Sequence, residues 1–291
     1  MTPKLSIIIP CFNRKQYLED SILSVLDQQY PNLELIIVDG GSTDGSVDII
    51  RKYEKHMAFW CSERDRGQYD ALQKGFARST GDIMAWINSD DLYCPWAFKV
   101  VAEVFTTFPQ VSWLTSLFPV IWNTQGVPVN ITPRPGYAKA FFKKGYYMMD
   151  PRHFRRYFIQ QESTFWRRSL WDAAGGNIDP AYQVAGDFSL WARFFQHADL
   201  TGIETPLGGF RRHGAQLSAE QRQTYIDQSE EILKSIGGRH CSPLDAWIRR
   251  TNLAKHWPLA VLPSLGFTQP AQNIRWNQHE KEWQLRTEYI T

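Results

Sequence analysis

The 291-residue sequence is poor in three features that would each indicate a distinct class of protein. Its four cysteines include no Cys-x-x-Cys pair, so the sequence predicts neither a zinc site nor a disulfide framework. The formal net charge of +2 is too small to predict nucleic-acid binding. No apolar run approaches the roughly 20 residues that a membrane span needs, and no secretory signal is visible. We therefore expect a cytoplasmic protein.

Two nucleotide-binding signatures are also missing. No Gly-x-Gly-x-x-Gly follows a predicted strand, which disfavours a dinucleotide-dependent oxidoreductase. A nucleotidyltransferase usually has a glycine-rich, basic phosphate loop after its first strand, and residues 10–14 (Pro-Cys-Phe-Asn-Arg) are not such a loop. Aromatic residues, in contrast, are abundant, with 12 Trp, 12 Tyr and 17 Phe. This content suggests a surface that handles flat, amphipathic ligands such as sugar rings.

The first 115 residues alternate between strand and helix patterns. Residues 5–9 and 33–38 are largely apolar runs with β-branched residues, of the kind found in buried parallel strands. Asn13 and Gln16 predict a capping box at the start of the first helix. The pattern predicts an α/β fold, a Rossmann-like nucleotide-binding domain with a mostly parallel central sheet. We expect three parts: a nucleotide-binding half at 1–115, a second half with an insertion at 116–217, and a helical or irregular aromatic extension at 218–291.

Polar residues follow four of the predicted strands at the point where each strand ends. They are Asn13, Asp39, Asp65, Asp90 and Asp91. Ligands of such sheets bind beyond the carboxyl ends of the strands, so we expect these side chains to line one site. The adjacent carboxylates of residues 90 and 91 favour a hard divalent cation, Mg²⁺ or Mn²⁺. A strand-to-helix turn with capping residues is the alternative.

The other acidic residues at this edge suggest recognition of a nucleoside. A carboxylate at Asp39 is able to accept the imino N–H of uracil or thymine, although residues 39–45 also suit an ordinary turn. Asp65 lies between two arginines, for which a surface salt-bridge cluster is the alternative.

In order and spacing, these segments resemble the motifs of family 2 glycosyltransferases, which are inverting enzymes with the GT-A fold. The similarity is clear at residues 6–13, 37–44, 63–75 and 88–91, and thinner at 160–165, 186–191 and 211–213. Four residues are implied to line the nucleoside pocket: Pro10, Asn13, Asp39 and Asp65.

The resemblance also implies roles for the diphosphate and the acceptor. Asp90 would lie by the ribose or donor sugar, Asp91 would bind a metal on the diphosphate, and His213 would be a further metal or phosphate ligand. Asp187 matches the position of the general base, which would activate the acceptor hydroxyl. The acceptor side would include Gln161 and Glu162.

The sequence departs from the family pattern at three positions. Gly40 stands where the usual turn has a second aspartate. Ser89 replaces the acidic first member of the Asp-x-Asp motif. Gly186 precedes Asp187 where many members have an acidic pair. Asp91 is therefore the most secure metal ligand, and a helix N-cap is the alternative role for Asp187.

The predicted function is the metal-dependent, inverting transfer of a sugar from a nucleoside-diphosphate sugar, favouring the uridine or thymidine type, in surface polysaccharide or glycan biosynthesis. The acceptor would be a carbohydrate or a lipid-linked glycan. Two alternatives remain, a nucleotidyltransferase and a non-catalytic nucleotide-sugar-binding module. Basic and aromatic residues alternate over 139–156, which suggests an acceptor-binding lip, a peripheral membrane contact or a solvated loop. Tryptophans of the C-terminal part suggest packing on the domain or a homodimer contact.

Overall fold

The computed structural model of the chain describes residues 2–148, 158–214, 221–240 and 268–291. Its strands are β1 (Leu5–Cys11), β2 (Leu33–Asp39), β3 (Phe59–Ser62), β4 (Ile83–Trp86), β5 (Leu92–Tyr93), β6 (Trp113–Ser116), β7 (Val120–Trp122), β8 (Pro128–Ile131), β9 (Thr164–Arg167), β10 (Thr201–Ile203), β11 (Gly208–Arg211), β12 (Gln269–Asn277) and β13 (Glu282–Ile290).

The helices are α1 (Lys15–Leu26), α2 (Ser46–Tyr53), α3 (Gln68–Arg78), α4 (Ala97–Thr107), α5 (Lys139–Lys143), α6 (Arg168–Ala173), α7 (Gly186–His197) and α8 (Arg222–Ser235), with 3₁₀ turns at Glu54–His56 and Gln161–Ser163. Among the residues that the structure describes, no helix is long and apolar enough to cross a membrane.

The described strands form a nine-stranded central sheet in the order β13-β12-β10-β6-β9-β4-β1-β2-β3. Strand β1 pairs in parallel with both β2 and β4, and β6, β10 and β12 also run parallel to one another. Strands β9 and β13 pair antiparallel with their neighbours. The predicted α/β fold with a mostly parallel sheet is confirmed.

The middle of the central sheet is a fully buried part of the core. All seven residues of β1 are buried, because helices cover both faces of the sheet. Helix α3 packs so closely that a Cβ at Gly75 would lie 2.6 Å from Ile8 Cγ2. Burial of an isoleucine side chain contributes about 1.5–3 kcal/mol, so this apolar run stabilises the edge where the site lies.

Six of the ten tryptophans that the structure describes are buried. Trp86, Trp113, Trp166 and Trp191 are fully or almost fully buried, and the rings of Trp86 and Trp191 stack with centroids 5.9 Å apart. The high aromatic content therefore fills the space between the sheet and helix α7, rather than forming mainly the sugar-binding surface that the composition suggested.

Two parts of the chain differ from their predicted structure. The described part of the insertion supplies β7 and β8 to a second sheet of order β5-β11-β7-β8. The C-terminal part, expected to be helical or irregular, contains helix α8 and then a hairpin whose strand β12 pairs with β10. Its turn reaches a left-handed backbone at Lys281, at a φ of 54°, where a glycine would have signalled the turn.

Candidate active site

The strand register brings the predicted polar residues to one edge of the sheet. Cys11 of β1 lies opposite Asp39 of β2, and Asp39 lies opposite Ser62 of β3. The loops that carry Asn13 and Asp65 begin directly after these positions. The site is therefore built from the carboxyl ends of neighbouring parallel strands.

Asp39 does not present a free carboxylate to this edge. It is fully buried, and its Oδ2 accepts hydrogen bonds from the backbone N–H groups of Gly41 (3.0 Å) and Ser42 (2.9 Å) and from the Ser62 hydroxyl (2.6 Å). Its Oδ1 accepts the Ser42 hydroxyl at 2.5 Å. Both oxygens are engaged inside the turn, so Asp39 anchors the glycine-rich loop, and its role as the imide acceptor stays a prediction.

Asp65 lies directly over the turn that Asp39 anchors. A Cβ built on Gly40 would stand 2.7 Å from Asp65 Oδ2, so this carboxylate occupies the space that a second acidic side chain would fill in the usual turn. Asp65 Oδ1 accepts the Gly67 N–H at 2.9 Å. Partial burial raises the pKa of the Asp65 carboxyl.

The end of β1 presents an aromatic side chain that the sequence analysis missed. Phe12 is 57% exposed, whereas Pro10 is buried within the strand. Asn13 has a φ of 51°, and its Oδ1 accepts the Thr43 N–H at 3.0 Å, while α1 begins after Arg14. The predicted capping box is therefore wrong, and Asn13 instead fixes the glycine-rich loop. An aromatic residue directly after a predicted buried strand was the available sequence signal for this exposed ring.

Asp90 and His213 meet although they are 123 positions apart in the sequence. His213 Nε2 lies 3.0 Å from Asp90 Oδ2, and Arg14 Nε donates to the same oxygen at 3.1 Å. The His213 ring stacks on Tyr17 at 4.7 Å between centroids, and the Arg211 guanidinium lies 4.9 Å from the centroid of Tyr17. These contacts hold the imidazole beside the acidic motif.

Asp91, which follows Asp90 in the sequence, is fully buried. Its Oδ1 accepts the Arg211 N–H at 2.8 Å and its Oδ2 accepts the Asn88 amide at 3.0 Å. Burial, followed by the nearby Glu162 and Asp90, raises the pKa of Asp91 well above its ordinary value. Two ordered hydrogen bonds tie it to the frame of the site, and its role as metal ligand stays a prediction.

The two predicted acceptor-side residues have different environments. Gln161 donates from Nε2 to the Trp86 carbonyl at 2.6 Å, so it fixes its turn against the end of β4. Glu162 is buried and contacts the Asp91 carboxyl, and burial raises the pKa of Glu162 to about 7, with Asp187 adding to the shift. A Cβ at Gly208 would lie 2.3 Å from the Glu162 carbonyl oxygen, so only glycine fits there. The structure thus places Glu162 inside the acidic cluster.

Asp187 lies in the first turn of α7, close enough to Glu162 of this cluster for its charge to raise the pKa of that carboxyl. Its Oδ1 accepts the Phe188 N–H at 2.8 Å and lies 3.5 Å from the hydroxyl of Tyr69. Burial raises the pKa of Asp187 to about 6. The carboxylate has a hydrogen bond at the helix start and also a basicity suited to proton transfer near neutral pH.

The donor set suits a divalent cation that is held jointly with a substrate. Within the described residues, no group of three or more His, Cys, Asp or Glu side chains is arranged to hold a metal. Asp90 and His213 nevertheless approach to 3.0 Å, close enough to share one ion. Mg²⁺ commonly takes one or two protein carboxylates and completes its shell with substrate phosphates and water.

A cavity of about 710 Å³ opens beside the Asp90–His213 pair. It is lined by Asn13, Arg14, Lys15, Gln16, Tyr17, Asp44, His213 and Gly214. The cationic side chains of Arg14 and Lys15 make this cavity a favourable place for a phosphate group.

The sequence model of Glycosyl transferase family 2 matches residues 6–170, which is more than half of the chain. An uncharacterized glycosyltransferase of Rickettsia prowazekii is 35% identical over 275 residues, covering 89% of this chain and 84% of that protein. The chain belongs to glycosyltransferase family 2.

Other relatives match over a shorter stretch. The putative teichuronic acid biosynthesis glycosyltransferase TuaG of Bacillus subtilis is 42% identical over 94 residues, covering 31% of this chain. The alignments with TuaG and two further curated relatives span only 33–37% of the length of those proteins.

Solved structures support the same fold. TarS 1-349 of S. aureus in complex with UDP-GlcNAc has a TM-score of 0.60 at 15% identity, covering 89% of this chain and 78% of that chain. The mannosyltransferase PcManGT of Pyrobaculum calidifontis, solved with GDP-Man and Mn²⁺, has a TM-score of 0.56 at 18% identity, with 92% and 73% covered. The chain has the GT-A fold.

Proposed function

We propose that the chain transfers a sugar from a nucleoside-diphosphate sugar, of the uridine or thymidine type, to a hydroxyl of a carbohydrate or lipid-linked glycan, with inversion of the anomeric carbon. Asp187 carries this proposal. It is a partly buried carboxylate with a pKa near 6, held at the acceptor side of an edge where donor-binding residues converge. A non-catalytic sugar-nucleotide-binding module would not need such a base.

The reaction is a single displacement. The acceptor oxygen attacks the anomeric carbon while its proton passes to the Asp187 carboxylate. The bond from the anomeric carbon to the phosphate oxygen breaks, and the nucleoside diphosphate leaves with the electron pair. One carboxylate on the acceptor side is enough for this reaction. Because the displacement occurs in a single step, the configuration of the anomeric carbon inverts.

The nucleoside end of the donor fits the ends of β1 to β3. The exposed ring of Phe12 offers a face on which a base can stack, and the Asp65 carboxylate is able to accept an imino N–H. Asn13 supports this pocket by holding the loop at Thr43. Asp39 contributes as the anchor of that loop.

The diphosphate end fits beside Asp90 and His213, with Arg14 and Lys15 lining the adjoining cavity. Asp90 and His213, together with the neighbouring Asp91, would hold Mn²⁺ or Mg²⁺. The cation would stabilise the negative charge of the leaving diphosphate. Structures of similar fold contain Mn²⁺, which supports this choice.

Surface polysaccharide biosynthesis is the process that we propose, supported by the similarity to TuaG. A peripheral membrane contact through the lysines of 139–144 would bring the site to a lipid-linked acceptor. Residues 149–156 of the predicted basic-aromatic run lie outside the described residues.

Asp187→Asn tests the function and its base together. The asparagine oxygen still accepts the Phe188 N–H, but the side chain no longer takes a proton. We expect kcat to fall by roughly 10²–10⁴-fold with donor affinity nearly unchanged. In the wild type, kcat should rise as the pH passes through about 6, because Asp187 acts in its ionised form.

The readouts are turnover of uridine- and thymidine-diphosphate sugars and the anomeric proton coupling of the product by NMR. Asp172→Asn, an exposed aspartate on α6, is the matched control and should behave as the wild type. Retained anomeric configuration would exclude the single displacement, and full activity of Asp187→Asn would exclude the base.

A further inference from the structure

Tyr69 of helix α3 reaches from the donor half of the chain to the segment that carries Asp187. Its hydroxyl has two acceptors for its one proton, the Val184 carbonyl at 3.1 Å and the Asp187 carboxylate, and it accepts the Asp187 backbone N–H at 3.4 Å. The same oxygen lies 3.5 Å from Asp187 Oδ1. One hydroxyl thus contacts both ends of residues 184–187.

The ring of Tyr69 accounts for the glycine at position 186. A Cβ at Gly186 would lie 2.8 Å from three carbon atoms of the ring. A tyrosine in this place and an acidic residue at 186 are therefore incompatible without a rearrangement. The tyrosine ring fills the place next to Asp187 where many family members carry a second acid.

The start of α3 also contacts the donor-binding residues. Asp65 Oδ1 accepts the Gly67 N–H at 2.9 Å, just before the helix. Gln68 Nε2 donates to Asn88 Oδ1 at 2.7 Å, and the Asn88 amide in turn donates to Asp91. The first turn of α3 therefore contacts the loop of Asp65, the acidic motif at 88–91 and residues 184–187, which carry the proposed general base.

We propose that Tyr69 is a positioning residue for the general base, one that orients the Asp187 carboxylate toward the acceptor and ties it to the donor-binding loop. This inference rests on the proposed function, because it needs Asp187 to be the base. The hydroxyl of Tyr69 favours the ionised carboxylate, whereas burial opposes ionisation.

Two other elements place titratable groups near Asp187. They are Glu162 of the 3₁₀ turn and Tyr225 of α8. Gln228 of α8 accepts the N–H groups of Val184 and Ala185, both at 3.1 Å, and so supports the same segment from the opposite side.

Tyr69→Phe tests the proposal because it removes the hydroxyl and keeps the ring that packs on Gly186. We expect kcat at neutral pH to fall roughly three- to tenfold, the effect of one hydrogen bond. The acid limb of the pH profile of kcat should move to higher pH, because the lost contact favoured the ionised carboxylate. The dissociation constant for the nucleoside diphosphate should stay unchanged.

Tyr53→Phe is the matched control, since its hydroxyl also bonds a carboxylate, Glu19, at 2.6 Å but lies on α2. It should leave the pH profile unchanged. In an Asp187→Asn background, Tyr69→Phe should cause no further loss of turnover, because no base remains to be positioned.

Each outcome decides the question. An unchanged kcat and pH profile in Tyr69→Phe, with Asp187→Asn inactive, would refute the positioning role and leave the proposed function intact. A loss of kcat matched by weaker nucleotide binding, with the pH profile unmoved, would show a general structural role and also refute it. An active Asp187→Asn enzyme would overturn the base assignment and this inference together.

Discussion

If Asp65 recognises the nucleobase, the strength of its hydrogen bond sets how strongly the protein prefers uridine diphosphate over an analogue that lacks the imino N–H. If Asp65 accepts the imino N–H of uracil, methylation of that nitrogen removes the contact. A hydrogen bond to a charged acceptor contributes about 1.5–3 kcal/mol, and Asp65 is partly exposed, so the lower part of this range applies. Uridine diphosphate should therefore bind roughly ten- to thirtyfold more tightly than its N3-methyl analogue.

Asp65→Ala should reduce this ratio to near one. The double variant Gly40→Asp/Asp65→Gly should restore it, because the new carboxylate grows into the space that Asp65 Oδ2 occupies, 2.7 Å from the Cβ position of Gly40. Gly40→Asp alone should destabilise the protein, since two carboxylates would compete for one place. Gly40 is not among the glycines with positive φ, so its backbone accepts an aspartate.

Isothermal titration calorimetry with the two nucleotides measures the ratio directly. Asp39→Asn serves as the comparison: it disturbs the turn held at Gly41 and Ser42 and should lower the melting temperature without abolishing the ratio. A full ratio in Asp65→Ala, or its specific loss in Asp39→Asn, would refute the assignment of base recognition to Asp65.

Two further predictions concern the cation and the membrane. Asp90→Ala and His213→Ala should each weaken the Mn²⁺-dependent part of uridine diphosphate binding by roughly 10–100-fold in calorimetry, while binding of uridine alone survives; an unchanged Mn²⁺ dependence would remove both residues from the cation site. The wild type should co-sediment with anionic vesicles at low salt and be released at high salt, because exposed charges are screened within about 8 Å at physiological ionic strength. Lys139→Ser/Lys143→Ser should bind such vesicles more weakly, and failure of the wild type to bind at low salt would refute the membrane contact.

The central sheet was predictable because its strands are buried on both faces. Residues 5–9 and 33–38 are apolar except at Ser6 and Glu34, and such runs separated by amphipathic helices indicate parallel pairing. The strand ends followed from the same pattern, so the edge on which Asp39 and Asp90 lie was also predictable.

The direction in which each side chain points was not predictable from position. Asp39 and Asn13 lie at the expected strand ends, yet their oxygens are engaged by Ser42 and Thr43 within the glycine-rich loop. The bond of Asn13 to Thr43 is made from a left-handed backbone at Asn13, at a φ of 51°, which sequence periodicity does not reveal. The contact of Asp90 with His213 likewise depends on strands distant in sequence.

The C-terminal hairpin shows a different limit. Over 282–289, strand β13 alternates polar residues with apolar ones, except at Thr287, which is a strand pattern that the sequence analysis did not use, and it forms an edge of the sheet. Asn273 of β12 is fully buried and donates to the Pro135 carbonyl at 2.9 Å, a polar residue in a place where a pattern-based prediction expects an apolar one. Burial of this residue depends on a tertiary partner 138 positions away.

The two glycines that depart from the family pattern have a common explanation. Gly40 leaves room for the Asp65 carboxylate and Gly186 leaves room for the Tyr69 ring, and both of these larger residues belong to the short segment 65–69. When read alone, each glycine suggests a lost acidic group and a weakened site. In the structure, the space of each absent side chain is filled by a side chain of segment 65–69, so the site is determined by which volume is occupied at the strand ends. A glycine at position 40 or 186 therefore indicates that another residue fills the space only when Asp65 or Tyr69, respectively, is also present. To return an acidic side chain to either position, the glycine and its partner must be changed together.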